Sequence, residues 1–319
     1  MRIVLLFCLS FLLVGCADDR PERLQANLKT ADHLIQTLGT QLDTNRIRNA
    51  TVLKNYAAFV TQIKPTLSPL FNELAKDATR NGPMYRSLAD RLATLKTQPD
   101  VLGDIDAQLL ETKTLIEASD VALFNDALSD PINVIADMSD GKLPRVNAIS
   151  QVQSLKANNA ESNGAGSQLV GNPNYGSWQT NSSGLSFWHW YGMYSMFSNF
   201  NSRPIAYDRW SSRRNYSYYS DVGRNRYTSP KQKRSQETLI KRHKKTFSSK
   251  KGSFDSTYAK PKTGASSISS ASKKAQRTSS FASKSSYSKQ KSSSSGFRSS
   301  TSSFRNSSST TSRGISRGK

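Results

Sequence analysis

The chain has 319 residues, of which 45 are Lys or Arg and 23 are Asp or Glu, so its formal net charge is +22. Hydrophobic residues make up only 35% of it, whereas folded globular chains usually reach roughly 45–50% with glycine counted. The charge is divided unevenly, because residues 1–161 carry a net −2 and residues 162–319 a net +24. These values argue against a single uniform globular enzyme and predict two halves with different physical roles.

The start of the chain is typical of an export signal. Arg2 is followed by a mostly apolar run over residues 3–14, which is shorter than the roughly 20 residues that a membrane-spanning helix needs. The end of this run resembles the lipobox of bacterial lipoproteins, in the order Leu13, Val14, Gly15 and Cys16. The resemblance implies that residues 1–15 are a signal peptide and that Cys16 carries the lipid. The alternative is an ordinary cleaved signal with an incidental cysteine.

The same resemblance bears on location. Residues 16–22 are predicted to form the lipid anchor and a short linker, so the membrane is the first expected partner. Ala17 follows the cysteine, at a position where inner-membrane lipoproteins of enteric bacteria carry aspartate, so the outer membrane is favoured over the inner one. Cys8 leaves with the signal peptide, and no free thiol then remains for a disulfide, a metal site or a nucleophile.

Residues 23–157 are predicted to form an all-α, antiparallel helical bundle. Apolar residues recur there every three or four positions, which places them on one face of a helix. The first such stripe runs from Leu24 to Leu42, and the turn-like residues 43–49 predict a break after it. We expect the stripes to form a core, although a seam for a partner helix or an apolar ligand groove has the same pattern.

Proline, glycine and aspartate mark the ends of the later helices. Ser68 followed by a proline predicts one helix start, and Gly82 predicts a left-handed helix end. Pro83 opens the next predicted helix, and Asp100 is the predicted cap of the one after it. A last helical segment is expected within residues 143–155.

The sequence offers little catalytic or metal-binding chemistry. His33 has an acid only at the adjacent position, and adjacent residues do not face one another on a helix. Asp104 and Asp106 are two positions apart, so their carboxylates also point in different directions on a helix. Residues 164–167 lack the preceding strand and the following helix that a phosphate-binding loop needs. No catalytic residue, cofactor or metal site is therefore predicted, and residues 158–174 are interpreted as a linker.

Residues 175–230 form an aromatic-rich segment that contains all four tryptophans. Trp and Tyr settle at membrane–water interfaces, and they stack on sugars or bases. Two interpretations stay open, an exposed interfacial or stacking surface and the docking of these rings onto the helical bundle. The candidate surface residues are Trp178, Trp188, Trp190, Tyr191, Tyr194 and Trp210.

Residues 231–319 are predicted to be a disordered basic tail. From residue 246 onward, 28 of 74 residues are serine, so too little apolar area is available to offset the entropy of ordering. A short helix through Leu239 and Ile240 is the expected exception. The candidate polyanion-binding residues are Arg213, Arg214, Lys231, Lys233, Arg234, Lys241, Arg242, Lys244 and Lys245.

The predicted function follows from the anchor and the charge. A non-enzymatic, lipid-anchored protein of the cell envelope would use its basic, aromatic and serine-rich region to contact anionic envelope polymers, anionic lipids or the membrane surface. The alternative is a surface or matrix protein that binds extracellular nucleic acid through its basic tail. A tail that acts only as a spacer has the same composition, and the sequence does not predict an oligomeric state.

Overall fold

A computed structural model of the chain describes residues 18–201, 203–248 and 256–278. Within these ranges the protein is mostly helical and contains one small, two-stranded antiparallel sheet. The predicted signal peptide (residues 1–15), with its lipobox residues Leu13, Val14 and Gly15, and the predicted lipid-attachment residue Cys16 lie outside the described residues. The same holds for residues 279–319 of the predicted tail.

Residues 20–157 contain eight α-helices, and we call this range the helical half of the described chain. Their bounds are α1 Arg20–Asp43, α2 Arg48–Ile63, α3 Ser68–Ala75, α4 Pro83–Thr97, α5 Ile105–Ala118, α6 Val121–Ala127, α7 Ser129–Asp137 and α8 Gln151–Ala157. Helix α1 packs against α4 and α5, while α2 packs against α3 and α7. Because neighbouring helices face one another, each buries the apolar side that its sequence carries.

The first helix agrees closely with its sequence pattern. Helix α1 buries Leu28, Ala31, Ile35, Leu38 and Leu42, so the predicted apolar stripe is confirmed as core. The helix ends at Asp43 and the next begins at Arg48, which confirms the predicted break. The turn between them contains a residue with a left-handed backbone, Asn45, at φ 54°, a conformation that Asn adopts more readily than most residues.

Two predicted helix ends differ from the structure. Gly82 has φ −66° and directly precedes α4, so the prediction of a left-handed glycine was wrong. A Cβ atom at Gly82 would lie 2.5 Å from the carbonyl oxygen of Lys76, so the chain needs glycine there for close approach. The cap of α5 is Asp104 rather than Asp100, because the Asp104 carboxylate accepts a hydrogen bond from the Ala107 N–H at 2.9 Å.

The aromatic segment contains the sheet, which the all-α prediction missed. Strands β1 Gly176–Thr180 and β2 Ser186–Trp190 pair so that Trp178 lies opposite Trp188. Trp188 and Trp190 are buried while His189 between them is exposed, which is the two-residue period of a strand. Helices α9 Tyr207–Arg213, α10 Arg224–Tyr227 and α11 Pro230–Ser248 follow, and residues 270–278 are helical.

The aromatic segment and the helical half share one hydrophobic core. Tyr227 donates a hydrogen bond to the Ala118 carbonyl oxygen at 3.0 Å, and its ring meets that of Phe124 edge to face. Tyr175 donates to the buried carboxylate of Asp77 at 2.7 Å. Because these contacts reach α5, α6 and the turn after α3, the aromatic segment completes the core of the helical half.

Residues 158–174 differ from the predicted linker. Leu169 and Val170 are buried in the shared core, and Gln168 and Asn172 are buried beside them. Gln168 donates a hydrogen bond to the buried carboxylate of Asp130 at 2.7 Å. The composition of this stretch is polar, but its polar side chains have partners inside the fold, so it packs where a linker was expected.

Residues 256–278 differ from the predicted disordered tail. Thr257, Ile268 and Ser272 are buried. The carboxylate of Asp126 in α6 accepts hydrogen bonds from the Ser269 N–H at 2.8 Å and the Ser272 hydroxyl at 2.7 Å. Serine here satisfies a carboxylate of the helical half, so a segment with little apolar area still gains a fixed place.

Candidate functional site

Helix α11 has one packed face and one exposed face. Leu239 and Ile240 pack against the core. On the opposite face, five exposed cations recur at spacings that place them within an arc of about 100°, and we call them the cationic stripe: Lys231, Arg234, Lys241, Arg242 and Lys245. At about 1.5 Å rise per residue, the stripe is roughly 21 Å long.

Several polar contacts fix the orientation of α11. The helix begins with a capping box. The side-chain oxygen of Gln232 accepts a hydrogen bond from the Ser229 N–H at 2.9 Å, and the Ser229 hydroxyl accepts one from the Gln232 N–H at 3.3 Å. Gln236 donates to the Tyr219 hydroxyl at 2.9 Å. Arg242 donates to the Thr180 hydroxyl at 2.9 Å. These contacts tie the middle of α11 to Tyr219 and its C-terminal part to Thr180 at the end of β1, so that Arg242 alone of the five stripe cations is hydrogen-bonded to the strand.

The stripe carries a net positive charge. Glu237 is the one acid of α11, and it lies three residues from Arg234 and four from Lys241, so it can offset only one of the five positive charges. Among the described residues, Lys231, Arg234, Lys241 and Lys245 form no ion pair. A row of exposed, unpaired cations of this kind attracts anionic surfaces and polymers.

The other predicted polyanion-binding residues lie apart from the stripe. Lys233 is partly buried, and this burial, followed by the positive charge of Arg224, lowers its pKa. Lys244 is exposed but falls outside the arc of the stripe. Arg213 ends α9 and forms an ion pair with Glu161.

Arg214 belongs to a buried ion pair. Its two terminal nitrogens donate to the Asp221 carboxylate at 2.9 and 2.7 Å, and its Nε donates to the Thr257 carbonyl oxygen at 2.9 Å. The Arg214 side chain is 1% exposed. It therefore holds residues 256–278 against the aromatic segment, and it presents no charge to a ligand in solution.

The predicted aromatic residues are mostly docked. Four of them are buried: Trp188, Trp190, Tyr194 and Trp210. Trp178 is partly buried, with its ring 5.1 Å from that of Trp188 and 4.9 Å from that of Tyr207. Tyr191 is 44% exposed. Of the two interpretations, packing into the core shared with the helical half therefore applies to five of the six residues. Tyr191 is the one exposed residue among the six.

Two clefts lie along α11. The larger, of about 690 Å³, is bounded by α4, the loop before β1, Tyr191, Tyr194 and the start of α11. The smaller, of about 530 Å³, lies between β1 and α11 and is lined by Trp178, Trp188 and two cations of the stripe, Lys231 and Arg242. Sequence reasoning named these aromatic and basic residues separately, and the fold brings them together.

Comparison of the chain with protein-family models, with curated proteins and with solved structures gives no match. None of the helices in the described ranges combines the length and apolar composition needed to span a bilayer. Within the same ranges, His, Cys, Asp and Glu side chains form no group of three or more that is placed to hold a metal ion. The site is therefore interpreted from the chemistry of the stripe and its clefts.

Proposed function

We propose that this chain is a non-enzymatic protein of the bacterial cell envelope, anchored by a lipid on Cys16 and binding anionic envelope polymers or lipids through its cationic stripe. The stripe is the observation that supports this function. Its cations are exposed and aligned, whereas most candidate aromatic residues are packed inside. The anchor is proposed to hold the chain at the outer membrane, with the helical half folded as an antiparallel bundle.

Phosphate groups are the expected targets of the stripe. Each cation that meets a phosphate releases condensed counterions, so binding weakens steeply as salt rises. A Lys or Arg near an anionic membrane surface contributes about 1 kcal/mol. Five aligned cations therefore supply enough attraction to hold a phosphorylated glycolipid or an anionic lipid surface at low salt.

Neutralising the stripe is expected to weaken binding to vesicles that contain a phosphorylated glycolipid by roughly 1,000- to 10,000-fold, because about 1 kcal/mol is lost for each of its five cations. The variant replaces its five residues with Gln: Lys231, Arg234, Lys241, Arg242 and Lys245. The measurement is vesicle co-sedimentation of the full chain, with Cys16→Ser in every protein so that no lipid anchor contributes.

A matched control removes the same charge from the opposite half of the molecule. It replaces five scattered exposed cations of the helical half with Gln: Lys29, Arg46, Arg48, Lys113 and Lys142. We expect this control to bind within a few-fold of the parent protein. Equal losses in the two variants would show that only net charge matters and would refute the stripe. Tighter binding to DNA than to every envelope ligand would instead favour a nucleic-acid-binding protein.

Replacing Cys16 with Ser is expected to move the protein from the membrane fraction to the soluble fraction of fractionated cells, because the proposed lipid has no other attachment point. Cys8→Ser is the matched control, since Cys8 lies within the predicted signal peptide. That control should stay in the membrane fraction. Membrane retention of the Cys16 variant after a high-salt wash would contradict the anchor.

A further inference from the structure

The larger cleft has the size of a ligand-binding site. Its volume of about 690 Å³ lies within the range of roughly 300–1,000 Å³ that is usual for small-molecule pockets. The cleft is distinct from most of the stripe, because Lys241, Arg242 and Lys245 do not line it. Lys231 and Arg234 stand at the border between the two features.

Three residues that line this cleft carry buried hydrogen-bond donors without a partner among the described residues: Arg91 Nη2, Asn174 Nδ2 and the Tyr194 hydroxyl. These residues are 6%, 9% and 4% exposed. Leaving a buried donor unsatisfied costs about 1–3 kcal/mol, and such groups are few in folded proteins. Three residues with such donors line one cleft, which favours a ligand that brings acceptor atoms.

The contacts of Arg91 hold its guanidinium in place. Its Nε donates to Glu111 at 2.6 Å, and its Nη1 donates to the Arg226 carbonyl oxygen at 2.6 Å. These two contacts leave Nη2 as the remaining nitrogen of a fixed fork. Burial, followed by the negative charge of Asp77, raises the pKa of the Tyr194 hydroxyl above its ordinary value, so Tyr194 stays protonated and keeps its donor.

The side chains that line the cleft carry more positive than negative charge. Among its lining acids, Glu111 is paired with Arg91, and Glu73 forms an ion pair with Lys76 at 2.6 Å. Asp90 is the remaining lining acid, and it is outnumbered by the lining cations Arg86, Lys231 and Arg234. A neutral sugar hydroxyl would bring its own donor to a cleft in which Arg91 Nη2 and Asn174 Nδ2 can only donate, whereas an oxyanion only accepts.

We propose that the larger cleft binds a small ligand through an oxyanion group, a carboxylate or a phosphate, which accepts hydrogen bonds from Arg91, Asn174 and Tyr194. This site goes beyond the surface contact of the cationic stripe, since it recognises one end group instead of a row of charges. Hydrogen bonds to a charged acceptor are about twice as strong as neutral ones. The three donors therefore favour a charged oxyanion over a neutral acceptor of the same shape.

The test follows the side-chain amide signal of Asn174 by ¹H–¹⁵N NMR while inorganic phosphate or acetate is added to the full chain at constant ionic strength. We expect a saturable shift with at least one of the two anions. Tyr194→Phe removes only the unpartnered hydroxyl and leaves the ring packed against Tyr175. We expect it to weaken binding about tenfold or more, as loss of one hydrogen bond to a charged group does.

A control variant separates this site from the stripe. Lys241 and Lys245 line neither cleft, so the pair Lys241→Gln and Lys245→Gln should leave the small-anion affinity unchanged while it weakens vesicle binding. No saturable shift of the Asn174 signal with either anion would overturn the site. So would equal affinity in the Tyr194→Phe variant, provided that its circular dichroism spectrum and unfolding midpoint match those of the parent.

Discussion

Replacing Arg214 with Leu is expected to lower the free energy of unfolding by roughly 3–5 kcal/mol, because Asp221 is then left as a buried charge without its partner. The Asp221 carboxylate accepts hydrogen bonds from both terminal nitrogens of Arg214. It also accepts one from the Lys262 N–H, at 2.9 Å. The loss should therefore loosen residues 256–278 together with the aromatic segment. Urea unfolding followed by Trp fluorescence measures it.

The neighbouring arginine provides the control for this prediction. Arg213→Leu removes an exposed cation whose ion pair with Glu161 lies at the surface, and exposed pairs contribute only about 0–1 kcal/mol. The double variant Arg214→Leu with Asp221→Leu should recover part of the stability, because no uncompensated charge remains buried. Equal, small effects of Arg213→Leu and Arg214→Leu would contradict the buried pair.

Replacing Asp77 with Asn is expected to flatten part of the pH dependence of stability between about pH 4 and pH 7. Burial raises the pKa of the Asp77 carboxyl from 3.8 to about 7 in the folded protein. The folded state thus holds a proton that the unfolded state releases in this window. The contribution of the protonated carboxyl to the free energy of unfolding is therefore fully present below about pH 4, and it is lost as the pH rises through about 7.

The magnitude follows from the shift. A rise of about three pKa units corresponds to roughly 4 kcal/mol, at 1.36 kcal/mol per unit. Asn cannot ionise, and its amide oxygen can still accept the hydrogen bond from Tyr175. The variant should therefore be more stable than the parent at pH 8 and similar to it at pH 4, as measured by urea unfolding at both pH values. A parent and a variant with parallel pH profiles would contradict the raised pKa.

Local sequence patterns predicted the helical half well. The stripe of α1 and the break after Asp43 could be read directly, since helix periodicity and turn residues act over a few positions. The start of α11 was also readable, because Ser229 and Gln232 have the spacing of a capping box. That signal was missed when the whole region was interpreted by its composition.

The packed parts of the basic half could not be predicted in the same way. The Asp126 carboxylate accepts a hydrogen bond from the Ser269 N–H, 143 positions later in the sequence. The Asp130 carboxylate accepts one from the Tyr218 N–H, 88 positions later. The composition of a segment indicates how much apolar area it can bury. It does not show that a buried carboxylate elsewhere in the chain will accept hydrogen bonds from its serine side chains or backbone N–H groups. For this reason residues 158–174 and 256–278 were expected to be a linker and part of a disordered tail.

The candidate site was predicted in its residue types but not in its arrangement. The sequence named every cation of the stripe, yet it grouped them with Arg214, whose charge is buried against Asp221. The aromatic rings fit a core as well as an interface, so only the fold distinguishes the docked Trp190 from the exposed Tyr191. The three donors of the larger cleft come from α4, from the loop before β1 and from the chain after β2, and no local pattern connects them.

The most direct measurement of the proposed function is the salt dependence of binding to vesicles that contain a phosphorylated glycolipid. The logarithm of the binding constant is plotted against the logarithm of salt concentration for the Cys16→Ser parent and for the same protein with the five stripe cations replaced by Gln. Each phosphate contact contributes a slope of roughly 0.7–0.9 in nucleic acids. We expect the stripe variant to lose roughly three to five units of slope. Parallel lines for the two proteins would contradict binding through the stripe.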